Sequence, residues 1–297
     1  MFKKVGLKVA VQVNLVLLLV MAAGSFYIIQ KQSKSLEDQL LERGRIESVI
    51  GAKLVGKVLE EAIDNEVLSE REAFDTNYLE IEGFEPAKFH TQYDFYLDKA
   101  ILSILDEFLK DDSIYYAIAT DRNGYVPTHN TRFQQPLTGD KQKDREGNLT
   151  KRMFNDKVGL AAARNMLEGF FQAYQSESGG KTIWDVASPI FVNGKHWGNF
   201  RIGFVLEDLR AAQSKLEGTL IMIMAVILVV SALLIFLVVN QALKPLKDFT
   251  KIASEFADGN VDQPIVSTSK DEIGQLAEVL ERLRVSLKMA MSRLSRK

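Results

Sequence analysis

Hydrophobic positions along the chain fall into zones with different periods. Residues 9–29, VAVQVNLVLLLVMAAGSFYII, and residues 218–240, GTLIMIMAVILVVSALLIFLVVN, contain no charged side chain. Each is long enough to cross a bilayer core as a helix, which takes about 20 residues. The second is almost purely apolar, whereas the first carries Gln12 and Asn14 near one end. Between them, from residue 34 to about 69, Ile46, Ile50, Leu54 and Val58 recur every four residues. Val55, Leu59, Ile63 and Val67 occupy the adjoining face. This spacing predicts one long amphipathic helix, weakened by Gly44, Gly51 and Gly56. A second amphipathic helix is predicted over 96–111. The period then shortens. SIYYAIATDRNGYVPTHN, residues 113–130, reads as a strand, a turn and a second short strand, because Asn123-Gly124 tolerates positive φ. A polar loop, 134–150, leads into a short helix that Asn155 or Asp156 can cap. FFQAYQSE, KTIWDVASPIFV and HWGNFRIGFVLE follow as strands, the last two joined by a hairpin at Asn193-Gly194. Hairpins beside helices predict an antiparallel sheet in an α+β domain.

Charge orients this pattern. Lys3, Lys4 and Lys8 precede the first apolar run, and Lys244, Lys247 and Lys251 follow the second; Lys31 and Lys34 sit on the other side. The positive-inside rule places both termini in the cytoplasm and residues 30–217 outside. MAAGS resembles a leader-peptide cleavage site, but a cleavable apolar region spans only about 7–15 residues, so an uncleaved anchor is expected. Residues 30–217 hold 24 basic and 31 acidic side chains, a net of −7. No basic patch is present, which argues against nucleic-acid binding. Cysteine is absent, excluding disulfides, thiolate metal sites and covalent haem. His90, His129 and His196 show no metal-ligand spacing. Gly180-Lys181-Thr182 lacks the glycine that a phosphate loop needs five positions earlier, where Gln175 stands. No catalytic constellation emerges, so neither enzymatic activity nor a cofactor is expected.

The long helix, the sheet and the direct exit into an apolar helix, together with GYVPTHN, QPLTGD, TKRMFND and VNGKHWGNFRIGF, resemble the single Cache sensor domains of bacterial methyl-accepting chemotaxis proteins. The resemblance implies a five-stranded PAS-like sheet with a ligand pocket on one face, roofed by residues 131–165. Some such sensors carry c-type haem, from which this cysteine-free chain departs. Tyr116 and Trp184 are candidate aromatic walls, and His129 and Asn130 candidate hydrogen-bonding groups. Arg132, Lys151, Arg152 or Arg164 would clamp a carboxylate. Asp185 would receive an ammonium or orient an arginine. The ligand class that suits this set is an organic acid or an amino acid. The alternative for each residue is structural, with Trp184 and Tyr116 in the core, the arginines solvated and His129 in a turn.

Beyond residue 240, Leu246, Phe249, Ala253 and Phe256 form one heptad seam, which Gly259 ends. Val261, Ile265 and Val266 lie in a connector. Asp271 and Glu272 open a second helix, whose seam is Ile273, Leu276, Leu280, Leu283 and Leu287. Two such helices paired with a second copy make a four-helix bundle. Pro245, the Asp258-Gly259 pair and the string DEIGQL resemble a HAMP domain. The resemblance implies that Pro245 marks the membrane junction, Gly259 fixes the turn, Val261 and Ile265 pack the connector, and Glu272 with Gly274 helps switch packings.

The expected organisation is a cytoplasmic N-terminus (1–8), a transmembrane helix (9–29), a Cache-like sensor (30–217), a second transmembrane helix (218–240), a HAMP domain (241–294) and a tail (295–297). The expected molecule is an α+β, homodimeric, multi-pass protein of the bacterial inner membrane. It would bind a small extracytoplasmic ligand and transmit the signal through HAMP. Because only three residues follow Leu294, the output is expected from a separate cytoplasmic partner or a co-assembling chemoreceptor. The competing expectations are a scaffolding membrane protein and a truncated chemotaxis receptor with a modulatory role.

Overall fold

The computed structural model describes residues 2–176, 180–260, 262–266 and 272–294. Two compact units emerge, one from residues 29–216 and the other from residues 1–28 with 217–297.

Helix α1 (Phe2–Asp64) runs without interruption through the first apolar run and the amphipathic stretch. It ends where Glu66 takes a positive φ of 58°. A capping box formed by Ser69 and Glu72 opens the short α2 (Glu70–Ala73). Then come β1 (Leu79–Ile81), β2 (Lys88–His90), α3 (Asp94–Ala100) and α4 (Leu102–Phe108). The single helix expected over 96–111 is therefore two, broken at Ile101. Strand β3 (Ile114–Asp121) precedes β4 (Tyr125–Val126), a 3-10 turn (Thr131–Phe133), α5 (Lys141–Gly147), β5 (Arg152–Met153) and α6 (Lys157–Ala163). The strands β6 (Phe170–Gln175), β7 (Thr182–Val192) and β8 (Lys195–Val205) complete the unit of residues 29–216.

All pairings among these strands are antiparallel, in two sheets ordered β3-β8-β7-β6 and β1-β2-β5-β4. The main sheet thus has four strands, not the five that the family resemblance implies. The reason lies in the turn after β3. Asp121 Oδ1 accepts the backbone N–H groups of Asn123 and Tyr125 at 2.8 and 2.9 Å. Gly124 adopts φ +85°, and its carbonyl accepts Phe154 N–H at 2.8 Å. The chain is thereby steered away from β3, and Tyr125–Val126 pairs with β5 instead. The Asn193-Gly194 turn does close a hairpin, with φ of 49° and 73°.

The larger core lies between one face of the main sheet and α1, where Val55, Leu59, Val186, Ile190, Phe200 and Phe204 are buried. Gly51, expected to weaken α1, has a packing role. A Cβ there would come within 2.2 Å of the Phe200 ring, so the missing side chain admits the sheet's largest apolar residue at this point.

In the other unit, the apolar part of α1 lies beside α7 (Leu206–Ala242). Both helices are long and apolar enough to cross a membrane. Ser25 Oγ donates to Met224 Sδ at 3.0 Å, and Ser231 Oγ donates to Asn14 Oδ1 at 2.5 Å. Helix α7 stops at Ala242 and α8 (Lys244–Ala257) begins with Pro245 in its first turn. A proline there cannot continue the preceding hydrogen-bond ladder. Helix α9 spans Glu272–Leu294.

Candidate functional site

Alternation along a strand sends neighbouring side chains to opposite faces. Away from α1, the main sheet presents Tyr116, Ile118, Ile183 and Val205, covered by Val126, Phe133, Leu149 and Phe154 from the intervening connection. Tyr116, Gly203, Asp185 and Gln172 stand in one row across β3, β8, β7 and β6. A Cβ on Gly203 would approach the Tyr116 ring to 2.3 Å. Gly203 therefore lets that ring lie across β8, and its hydroxyl reaches Asp185 Oδ1 at 2.7 Å and the Tyr174 hydroxyl at 2.9 Å. Gln172 Nε2 donates to Asp185 Oδ2 at 2.7 Å. Arg201 Nε and Nη2 donate to the same oxygen at 3.1 and 2.8 Å.

Asp185 is 0% exposed and Arg201 4%, so this is a buried ion pair with its remaining lone pairs satisfied. Burial, then the neighbouring Asp185 carboxylate, pushes the Tyr116 phenol well above its ordinary value and keeps it a donor. Burial alone would depress the Arg201 guanidinium, but Asp185, Tyr116 and Tyr174 together outweigh it and leave the group raised. Gly203→Ala should destabilise the domain by about 1–3 kcal/mol, as overpacking does. Thermal unfolding of the full chain in detergent checks this, with Gly194→Ala unsuitable as a control because its φ is positive and Gly180→Ala, in open space, suitable.

His129 and Asn130 belong to the covering segment. The His129 ring lies 4.8 Å from Phe133 and 6.2 Å from Tyr116, both edge-on. Gln134 Nε2 pins the backbone by donating to Thr128 Oγ1 at 2.9 Å and to the His129 carbonyl. His129 is 2% exposed and Asn130 0%. His129 Nδ1 and both side-chain polar atoms of Asn130 lack a partner of hydrogen-bond geometry. Burial pushes the imidazole down to about 3, although the Asn130 side chain close beside it acts the other way. Between the ordinary value of 6.5 and about 3, the unfolded chain binds a proton that the folded chain does not. This contribution to stability is therefore complete above pH 6.5 and is lost as the pH falls, by up to about 1.4 kcal/mol per pH unit. Denaturant melts between pH 7 and 4 should show a smaller loss in His129→Gln than in the natural chain.

Of the remaining candidates only Arg152 reaches this face. Trp184 packs toward the α1 side, with its ring edge-on to Phe171 at 5.4 Å, because β7 alternation puts it opposite Asp185. Lys151 turns to α3, with Nζ 3.1 Å from Asp94 Oδ2 and 2.6 Å from Asp98 Oδ2. Its φ of 62° reverses the side-chain direction at the start of β5. Arg152, next in sequence, is buried over the Phe154 ring at 4.9 Å and donates to the Arg145 carbonyl at 3.3 Å. Arg132 is exposed and donates to the carbonyls of Ile114 and Tyr115 at 3.1 and 2.8 Å. Arg164 is exposed at the end of α6. Asp185 orients an arginine, but that arginine is Arg201, which sequence reasoning did not single out. The signal was present: Arg201 is the lone charge in GNFRIGFV, and a charge at a buried strand position needs a partner. Gly203 and Gln172 gave no such signal.

The second region of interest follows α7. Gly259 ends α8 at φ +97°. Ile265 is 4% exposed, and its N–H donates to Glu281 Oε2 at 2.8 Å, fastening the connector to α9. Arg284 Nη2 holds the same carboxylate at 2.6 Å, and Asp262 pairs with Lys288 at 2.7 Å. Glu272 is exposed and Gly274 half-buried on the first turns of α9. Val261 lies outside the described residues. Along α9, Leu276, Leu283 and Leu287 remain 44%, 49% and 42% exposed.

A family model described as "HAMP domain" matches residues 237–289. The chain carries a HAMP domain. Its connector is the segment fastened by Ile265, and its helices are α8 and α9. Over 164 residues the chain is 23% identical to methyl-accepting chemotaxis protein TlpB of Bacillus subtilis strain 168; the match takes in 55% of this chain and 22% of that relative. The chain thus spans about a fifth of the curated relative that it matches. Among solved structures, the sensory domain of the Campylobacter jejuni chemoreceptor Tlp3 (CcmL) aligns at 13% identity and a TM-score of 0.28, covering 60% of this chain and 65% of that one. The Tlp3 ligand-binding domain in complex with L-valine aligns at 13% identity and 0.30, covering 62% and 66%. The chain thus carries a HAMP domain and, over part of its length, is similar to a methyl-accepting chemotaxis protein.

Proposed function

We propose that the protein is a homodimeric receptor of the bacterial inner membrane. Residues 30–217 lie outside and bind a small molecule between the main sheet and its covering segment, while 9–29 and 218–240 cross the bilayer. HAMP, within 241–294, passes the signal to a cytoplasmic partner. The observation that carries this reading is the uninterrupted order of β8, an apolar helix and a HAMP domain along one chain. Tyr116, His129, Asn130, Arg152 and Asp185 are the ligand-site residues of this proposal. Arg132 stands at its edge over the Tyr115 ring, whereas Lys151, Arg164 and Trp184 lie away from it and are left out of the proposed site. Signal transmission runs through Pro245, Gly259, Val261, Ile265, Glu272 and Gly274.

Protease added to intact spheroplasts should cut within 30–217 and leave 241–294 whole until the membrane is opened. Protection of 30–217 would overturn the topology and the receptor with it.

A further inference from the structure

The covering segment buries an amide that the fold does not use. Asn130 is 0% exposed, and neither its Oδ1 nor its Nδ2 meets a partner in hydrogen-bond geometry, although the His129 ring stands close beside it. A neglected amide of this kind is costly, and sites that break the rule of satisfied burial are where function is expected. Beside it stands His129, with Nδ1 also unpartnered. Four flat rings line the same place, since His129 lies against Phe133 and Tyr116, and Phe133 against Tyr115 at 5.1 Å.

The charged groups at this face are already engaged. Asp185 accepts from Tyr116, Gln172 and Arg201 at once. Arg201 is committed to Asp185, and Arg152 to Phe154 and the Arg145 carbonyl. Farther off, Lys151 is held by two aspartates and Arg132 by two carbonyls. A carboxylate entering here would have to draw Arg201 from Asp185, or share Arg152 with the Arg145 carbonyl. An ammonium would have to displace Arg201 from Asp185. Neither exchange is needed for a neutral molecule.

We propose that the sensor's ligand is an uncharged, flat molecule presenting a hydrogen-bond donor beside an acceptor, such as a carboxamide or a cis-amide heterocycle. Its edge pairs with the Asn130 amide, which offers one donor face and one acceptor face as asparagine does when it reads a base edge. Its plane is enclosed by Tyr116, His129 and Phe133. This rests on the receptor reading above and narrows it, replacing organic acids and amino acids as the ligand class.

The test uses the full chain in nanodiscs and thermal unfolding of its sheet domain. Without added ligand, Asn130→Leu and Asn130→Ala should each melt at least about 2–4 °C higher than the natural chain, because an unsatisfied buried amide has been removed. A fall in both would mean that Asn130 is satisfied within the fold, for instance by a bound water, and would overturn the inference. With uracil, hypoxanthine and nicotinamide as neutral probes, at least one should raise the melting temperature of the natural chain and not that of Asn130→Leu. Stabilisation by acetate, malate, isoleucine or valine in place of the neutral probes would overturn the ligand class and leave the receptor standing. Silence from both sets would remove both.

Discussion

Replacing Asp185 with asparagine is expected to cost the sheet domain about 3–5 kcal/mol, the usual penalty for stripping the partner from a buried charge. Arg201 would keep its guanidinium at 4% exposure with no carboxylate to meet it. The Tyr116 hydroxyl, Gln172 and Arg201 would have one amide oxygen to share in place of two carboxylate oxygens. Because whole-domain stabilities are only about 5–15 kcal/mol, the variant should lose a large share of its stability and unfold at a much lower denaturant concentration. The comparison that isolates the cause is Asp185→Asn with Arg201→Met. Removing both charges should recover most of the loss, since well-packed apolar side chains replace buried ion pairs at little cost. Denaturant unfolding of the three proteins decides the matter. A single variant as stable as the natural chain would show that Arg201 is compensated by something other than Asp185.

The second large effect is expected on α9. Leu276, Leu283 and Leu287 are spaced as one seam yet remain more than two-fifths exposed in a single chain. Covering the exposed part of each should contribute roughly 1 kcal/mol per leucine per chain. Aspartate at 276 and 287 would bury like charges against each other across the two-fold seam and abolish pairing. The chain has no natural cysteine, so Leu283→Cys supplies a single thiol and an unambiguous readout. Oxidation in membranes should convert most of this variant to a covalent dimer, and adding Leu276→Asp with Leu287→Asp should leave it monomeric. Equal cross-linking with and without the aspartates would rule out this seam as the dimer contact.

How much of this was legible beforehand depended on the kind of residue. The two uncharged runs, the HAMP seams, Gly259 and the Asn193-Gly194 hairpin each declare themselves within a few positions, and the structure carries all of them. The turn at Asp121 was legible as a turn but not as an exit from the sheet. Its outcome rests on Phe154, about thirty residues on, whose N–H takes the Gly124 carbonyl. Gly51 read as a flaw in a helix until Phe200, far along the chain, was found occupying its space. The candidate site divided in the same way. Tyr116, His129, Asn130 and Asp185 lie in segments that share one sheet face, whereas Trp184 is lost to that face by a single step of strand alternation. Lys151 is lost by one positive φ.

Local order along the chain, its charges and its periods gave the long helices, the long strands, the runs apolar enough to lie in lipid and the presence of a HAMP module, but not β1, β2, α5 or β5. Those properties follow from neighbouring side chains and the backbone they share. Which cation meets which carboxylate, which glycine makes room for which ring and which buried amide is left over were decided only when β3, β7 and β8 came side by side. Such pairings join residues tens of positions apart, and close packing leaves each of them one place to go.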